Sequence, residues 1–264
     1  MTPGSDINQL RSFVEEYVAA HPARAGVRNW WRKPLLVTAR ADERFRDLPL
    51  IAADDHLLPE DLLATARSVI VFFLPFVKEL VVENSKEPQP CRNWGVAYVQ
   101  TNELIELLGR GLADLFKGEG FECGLTPATH NFDEIKLMAR WSHKHLAHLA
   151  GLGRFGHNCT LITPSGCAGR LGSLVTEADL GDHPLIETDQ ACLLKAGKEC
   201  GLCIPACPPK ALTEEGFDRR LCWNHLNHNR DSLDQLAGLP DDTDVCGKCQ
   251  ARMPCSFKNP AARL

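Results

Sequence analysis

Behind Asp6, the apolar side chains Leu10, Phe13, Val14, Tyr17 and Val18 recur at three- and four-residue intervals. With Gln9 three residues after Asp6, this spacing predicts an amphipathic helix over the first 20 residues, opened by a capping box. The stretch from Ala25 to Asp61 is rich in Pro, Asp and Arg and carries mixed loop signals. Ser68-Val69-Ile70-Val71-Phe72-Phe73-Leu74 then runs without a polar break to Pro75, as a strand buried on both faces would. Asn102 opens a second helical pattern through Leu104, Leu108, Leu112 and Leu115, with Gly109 and Gly111 weakening it, closed by Lys117-Gly118-Glu119-Gly120. A third helix is predicted from Asp133 to Leu149 on Ile135, Met138, Trp141 and Leu146. Two short strands are predicted next, Cys159–Thr163 and Leu171–Thr176, about a Pro164-Ser165-Gly166 turn. Strands alternating with helices predict an α/β (α+β) layered domain over 1–185. The remainder, 186–264, is short, loop-rich and full of Cys and Pro, as where metal bonds replace an apolar core.

Composition adds limits to this picture. At 264 residues, 44% hydrophobic and 24% charged, the chain is globular rather than disordered. Its longest apolar run, Val69 to Val77, is far short of the roughly 20 residues that span a bilayer. The amino terminus lacks a basic stretch followed by an apolar one, so a cytoplasmic protein with no membrane partner is expected. A net charge of −5 argues against nucleic acid as the main partner.

Cysteine changes the reading most. Of 12 cysteines, eight fall from Cys192 onward, while Cys91, Cys123, Cys159 and Cys167 stand singly, as small buried residues often do. Without an export signal, metal or redox chemistry explains the eight better than disulfides. Their spacing is C-x7-C-x2-C-x3-C-P, then x14-C, then x23-C-x2-C-x5-C. In two-cluster ferredoxins a C-x2-C-x2-C-x3-C-P run binds one [4Fe–4S] cluster and lends its last cysteine to the other. Here Gly197 takes the first place, and Cys192, five residues earlier, can supply the thiolate through a longer loop. The reciprocal arrangement assigns Cys192, Cys200, Cys203 and Cys255 to one cluster. Cys207, Cys222, Cys246 and Cys249 fall to the second. Four-cysteine zinc sites are the competing reading, but a zinc ribbon has no need of a cysteine three residues past the pair and before proline.

Residues 140–156 combine His143, His145 and His148 with Gly151-x-Gly153-x-x-Gly156. The glycines match a dinucleotide fingerprint, yet they follow a helical pattern rather than a strand, so NAD binding is discounted. They are expected instead to let the backbone turn tightly or to approach a flat cofactor. On a helix His145 and His148 share a face, and these two are the candidate catalytic acids or ligands. His143 and His157 stand behind them, and His130, His225 and His228 are weaker candidates.

Ala66-Arg67-Ser68-Val69-Ile70-Val71 ending in Leu74-Pro75, the turn Ala150-Gly151-Leu152-Gly153-Arg154-Phe155-Gly156, and the double-cluster cysteines occur together in this order. The chain thereby resembles the epoxyqueuosine reductases, and more distantly the reductive dehalogenases, over roughly residues 55–257. The resemblance implies a nitroreductase-like α/β domain holding cobalamin, followed by a ferredoxin-like module with two [4Fe–4S] clusters. It implies an oxidoreductase in which electrons pass from the clusters to a substrate or second cofactor. It also implies a proton-donating aspartate thirteen residues before Ala150, where this chain has Leu137, with Asp133 and Glu134 close by. The acidic charge and a chain that stops nine residues after Cys255 count against tRNA as a partner and against epoxyqueuosine reduction itself. A small-molecule substrate or a redox partner protein is expected instead. A non-enzymatic electron-transfer or partner-activating protein is the alternative.

Overall fold

In the computed structural model, which describes residues 6–262, the run Ser68–Pro75 is a strand with every residue buried. Burying each of its large apolar side chains contributes about 1.5–3 kcal/mol, enough to make this run the anchor of the sheet. Leu35–Arg40 pairs antiparallel along one edge, placing Leu35 opposite Phe73 and Arg40 opposite Ser68. Gly169–Thr176 lies along the other edge and itself pairs antiparallel with Cys123–Leu125, giving a four-stranded sheet. Leu35–Arg40 falls in the stretch whose signals read as loop. Its Leu36, Val37 and Ala39 are buried in succession, and Thr38 is buried with them by donating its hydroxyl to the Gly181 carbonyl at 3.1 Å. A strand covered on both faces shows no alternation to read.

The first predicted helix is Ile7–Ala25; residues 1–5 of that prediction lie outside the described residues. The Asp6 side chain accepts from the Asn8 amide at 2.8 Å, and Leu10, Val14 and Val18 face inward. The second helix is longer than predicted, Arg92–Gly118, beginning ten residues before Asn102 and burying Leu104, Leu108 and Leu112 as expected.

The third helix is shorter than predicted and confined to His143–Leu149. Ahead of it, Phe132–Asp133 and Met138–Ala139 form a small antiparallel hairpin, and Ile135, placed by the periodicity on an apolar face, is 84% exposed. The cause is local. The Asp133 carboxylate accepts from the Ile135 and Lys136 amides at 2.8 and 2.7 Å, taking donors that a helix would use. The predicted strand Cys159–Thr163 shortens to Leu161–Ile162 and pairs with Arg154–Phe155. Thr163 and Gly166 close the expected Pro164-Ser165 turn with two reciprocal backbone bonds of 3.1 and 2.9 Å.

Mixed helix and sheet place the chain in the expected α/β (α+β) class. It divides into two units: residues 1–74, 102–152 and 170–187 in one, and 75–101, 153–169 and 188–264 in the other. The sequence boundary at 185/186 lies two residues from the last crossing, while 75–101 and 153–169, read from the sequence as part of the first domain, belong to the second unit. Among its described residues unit two has no large sheet. It holds the helices Lys78–Glu83 and Arg219–Ser232, the latter capped by the Asp218 carboxylate accepting from the Leu221 amide at 2.9 Å. Among the described residues no helix is long and apolar enough to cross a membrane.

Candidate metal centre

All eight carboxy-terminal cysteines lie in unit two, on turns rather than on regular elements apart from Cys222 in the helix Arg219–Ser232 and Cys249 in the short turn Lys248–Gln250. Between Cys192 and Cys207 the backbone proceeds by tight turns, Ala196 N–H to Cys192 O at 2.9 Å, Ile204 N–H to Gly201 O at 2.8 Å and Cys207 N–H to Ile204 O at 3.1 Å. Such turns aim successive side chains in different directions, and here they gather four sulfurs. Burial first, and then the neighbouring charges of Cys255, Cys192 and Cys200, push the Cys203 thiol up to about 11. These same four cysteines line one hollow, together with His157, Asn158 and Leu194.

A second set gathers about Cys249. Burial first, and then the charges of Cys246, Cys222, Cys207 and Cys203, hold the Cys249 thiol well above its ordinary range. Cys203 therefore neighbours both sets. Each raised thiol reflects the cost of several negative sulfurs in a dry site, a cost that bound iron offsets by supplying positive charge. Among the described residues no three His, Cys, Asp or Glu side chains close round the position of a single ion. Four thiols in each set match in number and kind the donors that a [4Fe–4S] cluster takes.

The loop bearing Cys246 and Cys249 is held by three side-chain amides. Asn229 donates to the Val245 carbonyl at 2.8 Å, Asn84 to the Cys246 carbonyl at 2.9 Å, and Asn158 to the Cys249 carbonyl at 2.8 Å. All three asparagines are buried. Asn84 also accepts from the Cys91 amide at 3.0 Å, and its carbonyl takes a hydrogen bond from the buried Lys248 ammonium, which donates to Gln89 O at 2.7 Å as well. Lys248, between Cys246 and Cys249 in the chain, thus ties their loop to residues 84 and 89. None of these asparagines has a signal in the sequence, since each reaches a carbonyl 16 or more residues away. His157 lines the hollow and donates Nε2–H to the Thr213 carbonyl at 2.7 Å, a structural bond.

The glycines expected to meet a flat cofactor close on the chain itself. A Cβ at Gly151, which has φ +74°, would lie 2.5 Å from Pro184, and one at Gly153 would lie 2.7 Å from the Ile162 carbonyl. A Cβ at Gly156 would meet Asn158 Oδ1 at 2.6 Å.

In unit one the histidines sort differently from the sequence reading. His145 Nδ1 is bonded to Ser142 Oγ at 2.8 Å, and His148 is half-buried farther along the same short helix. The more extended network surrounds His143. Trp141 Nε1–H donates to Ser173 Oγ at 2.9 Å, and that hydroxyl donates to His143 Nδ1 at 2.7 Å. His143 Nε2–H in turn donates to the Pro127 carbonyl at 3.2 Å. The carbonyl can only accept, which assigns the tautomer. Burial lowers His143 to about 4, with Arg170 and His56 adding to the effect, so the ring is neutral at ordinary pH. His56 lies beside it, donating Nδ1–H to Leu57 O at 2.6 Å and accepting the Ser142 amide at 2.8 Å. Neither His56 nor Ser173 was legible, because their partners are 86 and 30 residues away.

No protein-family profile matches the chain. Over 108 residues it is 39% identical to an epoxyqueuosine reductase from Synechococcus sp. (strain RCC307), an alignment covering 39% of this chain and 32% of that protein. In fold it is similar to the Bacillus subtilis epoxyqueuosine reductase, with a TM-score of 0.58, 19% identity, and coverage of 95% of this chain and 66% of that one. A structure of epoxyqueuosine reductase with an epoxyqueuosine-modified tRNA-Tyr stem loop matches with a TM-score of 0.58 and 18% identity over the same shares. The enzyme from Streptococcus thermophilus matches with a TM-score of 0.51 and 18% identity over 92% of this chain and 66% of that one. The chain thus spans about a third of the curated relative and just under two thirds of the solved ones. The expectation that tRNA is no partner is corrected here: a protein of this fold is solved with a tRNA stem loop, despite the net negative charge that prompted the exclusion. Overall charge reports the sum over the surface and not the local patch that meets a phosphate backbone. The reservation about epoxyqueuosine reduction, drawn from the same features, has no support in these similarities either. In fold, and over 108 residues in sequence, the chain is epoxyqueuosine reductase-like.

Proposed function

We propose that the chain is an iron–sulfur oxidoreductase that reduces an epoxide-bearing nucleoside in a tRNA stem loop. Cluster one would be held by Cys192, Cys200, Cys203 and Cys255, and cluster two by Cys207, Cys222, Cys246 and Cys249. The observation that carries this reading is the gathering of eight thiols into two sets of four, one of them lining a single hollow. Epoxide reduction takes two electrons and two protons, and two clusters that each pass one electron supply the pair. Cys203, assigned to the first cluster, also neighbours Cys249 of the second, which supports electron passage between them. His143 is a poor source of protons, since both ring nitrogens are engaged and its affinity for a second proton is low. His145 and His148 are the candidates for that task.

Cobalamin as a second cofactor rests on the resemblance alone. The glycines expected beside it pack against Pro184, Ile162 and Asn158, so no residue is assigned to it and no step is routed through it. A second reading, a carrier that passes electrons to a partner protein, is favoured by Leu137 standing where the resemblance expects an aspartate.

The test is anaerobic reconstitution with iron, sulfide and cobalamin, metal counting, and incubation of the reduced protein with epoxyqueuosine-bearing tRNA. About eight irons per chain and loss of the epoxide oxygen, read by mass spectrometry of digested nucleosides, support the proposal. About eight irons with no turnover, but reversible reduction and transfer to a redox protein, would establish the carrier instead. Zinc without iron would overturn both.

A further inference from the structure

One cysteine outside the two sets touches the first of them. Cys167 Sγ lies 3.8 Å from Cys255 Sγ, and its side chain is buried among Ile162, Ala191, Cys192 and Leu194, away from water. The placement is enforced by the backbone. Cys167 N–H donates to the Cys255 carbonyl at 2.8 Å, and Ala168 N–H to the Ser256 carbonyl at 3.2 Å, so two successive residues pin the turn to the segment bearing Cys255. Gly166 makes the approach possible, because a Cβ there would lie 2.3 Å from the Ser256 carbonyl oxygen. The Ser256 hydroxyl closes the other side of that segment, accepting from the Met253 amide at 2.7 Å and donating to the Gln250 carbonyl at 2.6 Å.

We propose that Cys167 is a positioning residue that donates its S–H to the Cys255 sulfur of cluster one and raises that cluster's reduction potential. The inference rests on the two-cluster reading above. An iron-bound Cys255 is a thiolate without a hydrogen, so the only proton available to the contact is the one on Cys167. The bond is stronger to a sulfur carrying more negative charge. When one electron enters the cluster, charge on its sulfurs grows and the S–H···S bond tightens, favouring the reduced form. Hydrogen bonds to cluster sulfurs are among the features that set such potentials. The cysteine spacing could not show this residue, which precedes its partner by 88 positions and belongs to no Cys-x-x-Cys unit.

The full chain, loaded anaerobically, is compared with Cys167→Ala and Cys167→Ser by iron and sulfide counting and by mediated redox titration followed by electron paramagnetic resonance. Both variants are expected to keep the iron of the parent. In Cys167→Ala one of the two reduction waves should move to a more negative potential, with reduction ~3- to ~10-fold less favourable, ~59 mV at the upper end for one electron. The serine hydroxyl should restore most of that shift. Two unmoved waves in the alanine variant overturn the proposal, as does an equal shift in both variants. Loss of half the iron from Cys167→Ala would make Cys167 a ligand and overturn it as well. A parent protein that binds no iron would instead overturn the cluster reading itself, a distinguishable failure.

Discussion

Unit one is built round an apolar sheet, and unit two round a gathering of thiols. In unit one, Val69 through Leu74 and their partners Leu36, Val37 and Ala39 pack a sheet by burying apolar side chains. In unit two, the cysteine turns leave raised thiols facing a hollow, and buried asparagines pull individual carbonyls into place. The first arrangement draws its stability from apolar area, and the second uses a few directed hydrogen bonds, to which the proposed clusters would add metal–thiolate bonds. The difference teaches where each unit breaks.

Stripping iron should have the largest effect. Chelation of the reduced protein is expected to abolish amide protection across 188–257 while leaving Val69–Leu74 protected, read by hydrogen exchange. Equal loss in both stretches would erase the contrast. By the same logic Cys192→Ala and Cys222→Ala should each lose about half the iron, and neither should lose all of it. The converse break is Phe72→Ala, which opens a cavity beneath a side chain only 1% exposed. It is expected to cost about 3–5 kcal/mol in denaturant unfolding, with iron content per folded chain unchanged. Asn84→Ala should cost about 1–3 kcal/mol, because the Cys246 carbonyl and the Cys91 amide both lose a partner, and it should speed iron release to a chelator. The most gradual effect, spread over the window from pH 6.5 to about 4, belongs to His143. The unfolded imidazole takes its proton near 6.5 and the folded one holds off to about 4, so its contribution is full above pH 6.5 and falls as pH drops toward 4. The slope should stay under ~1.36 kcal/mol per pH unit and flatten in His143→Gln, checked by urea titrations across that window.

Legibility followed the range of the interactions. The helix Ile7–Ala25 and the strand Ser68–Pro75 were readable because their signals, a capping Asp6 and an unbroken apolar run, lie within a few residues. The helix expected from Asp133 failed at the same range, where a single carboxylate captured two amides and outweighed a periodic pattern. The glycine turn was recognisable as a place of close approach. What approaches, Pro184 and the Ile162 carbonyl, depends on how distant segments fold back.

Residue order alone settled the inventory of chemistry: eight thiols at ferredoxin-like spacing, an apolar strand, and a cluster of histidines ahead of a glycine turn. Those are properties of neighbours in the chain, where period and spacing dictate which groups can share a face or a loop. The folded chain settled the company those groups keep. It brought residues 153–169 and 75–101 into the cysteine unit, set Asn84, Asn158 and Asn229 on the carbonyls of one loop, joined Trp141 through Ser173 to His143, and laid Cys167 against Cys255. Each of these contacts is a hydrogen bond or packing contact between segments far apart in sequence. Its partner is chosen by the closing of the whole unit, and no local pattern of side chains encodes it.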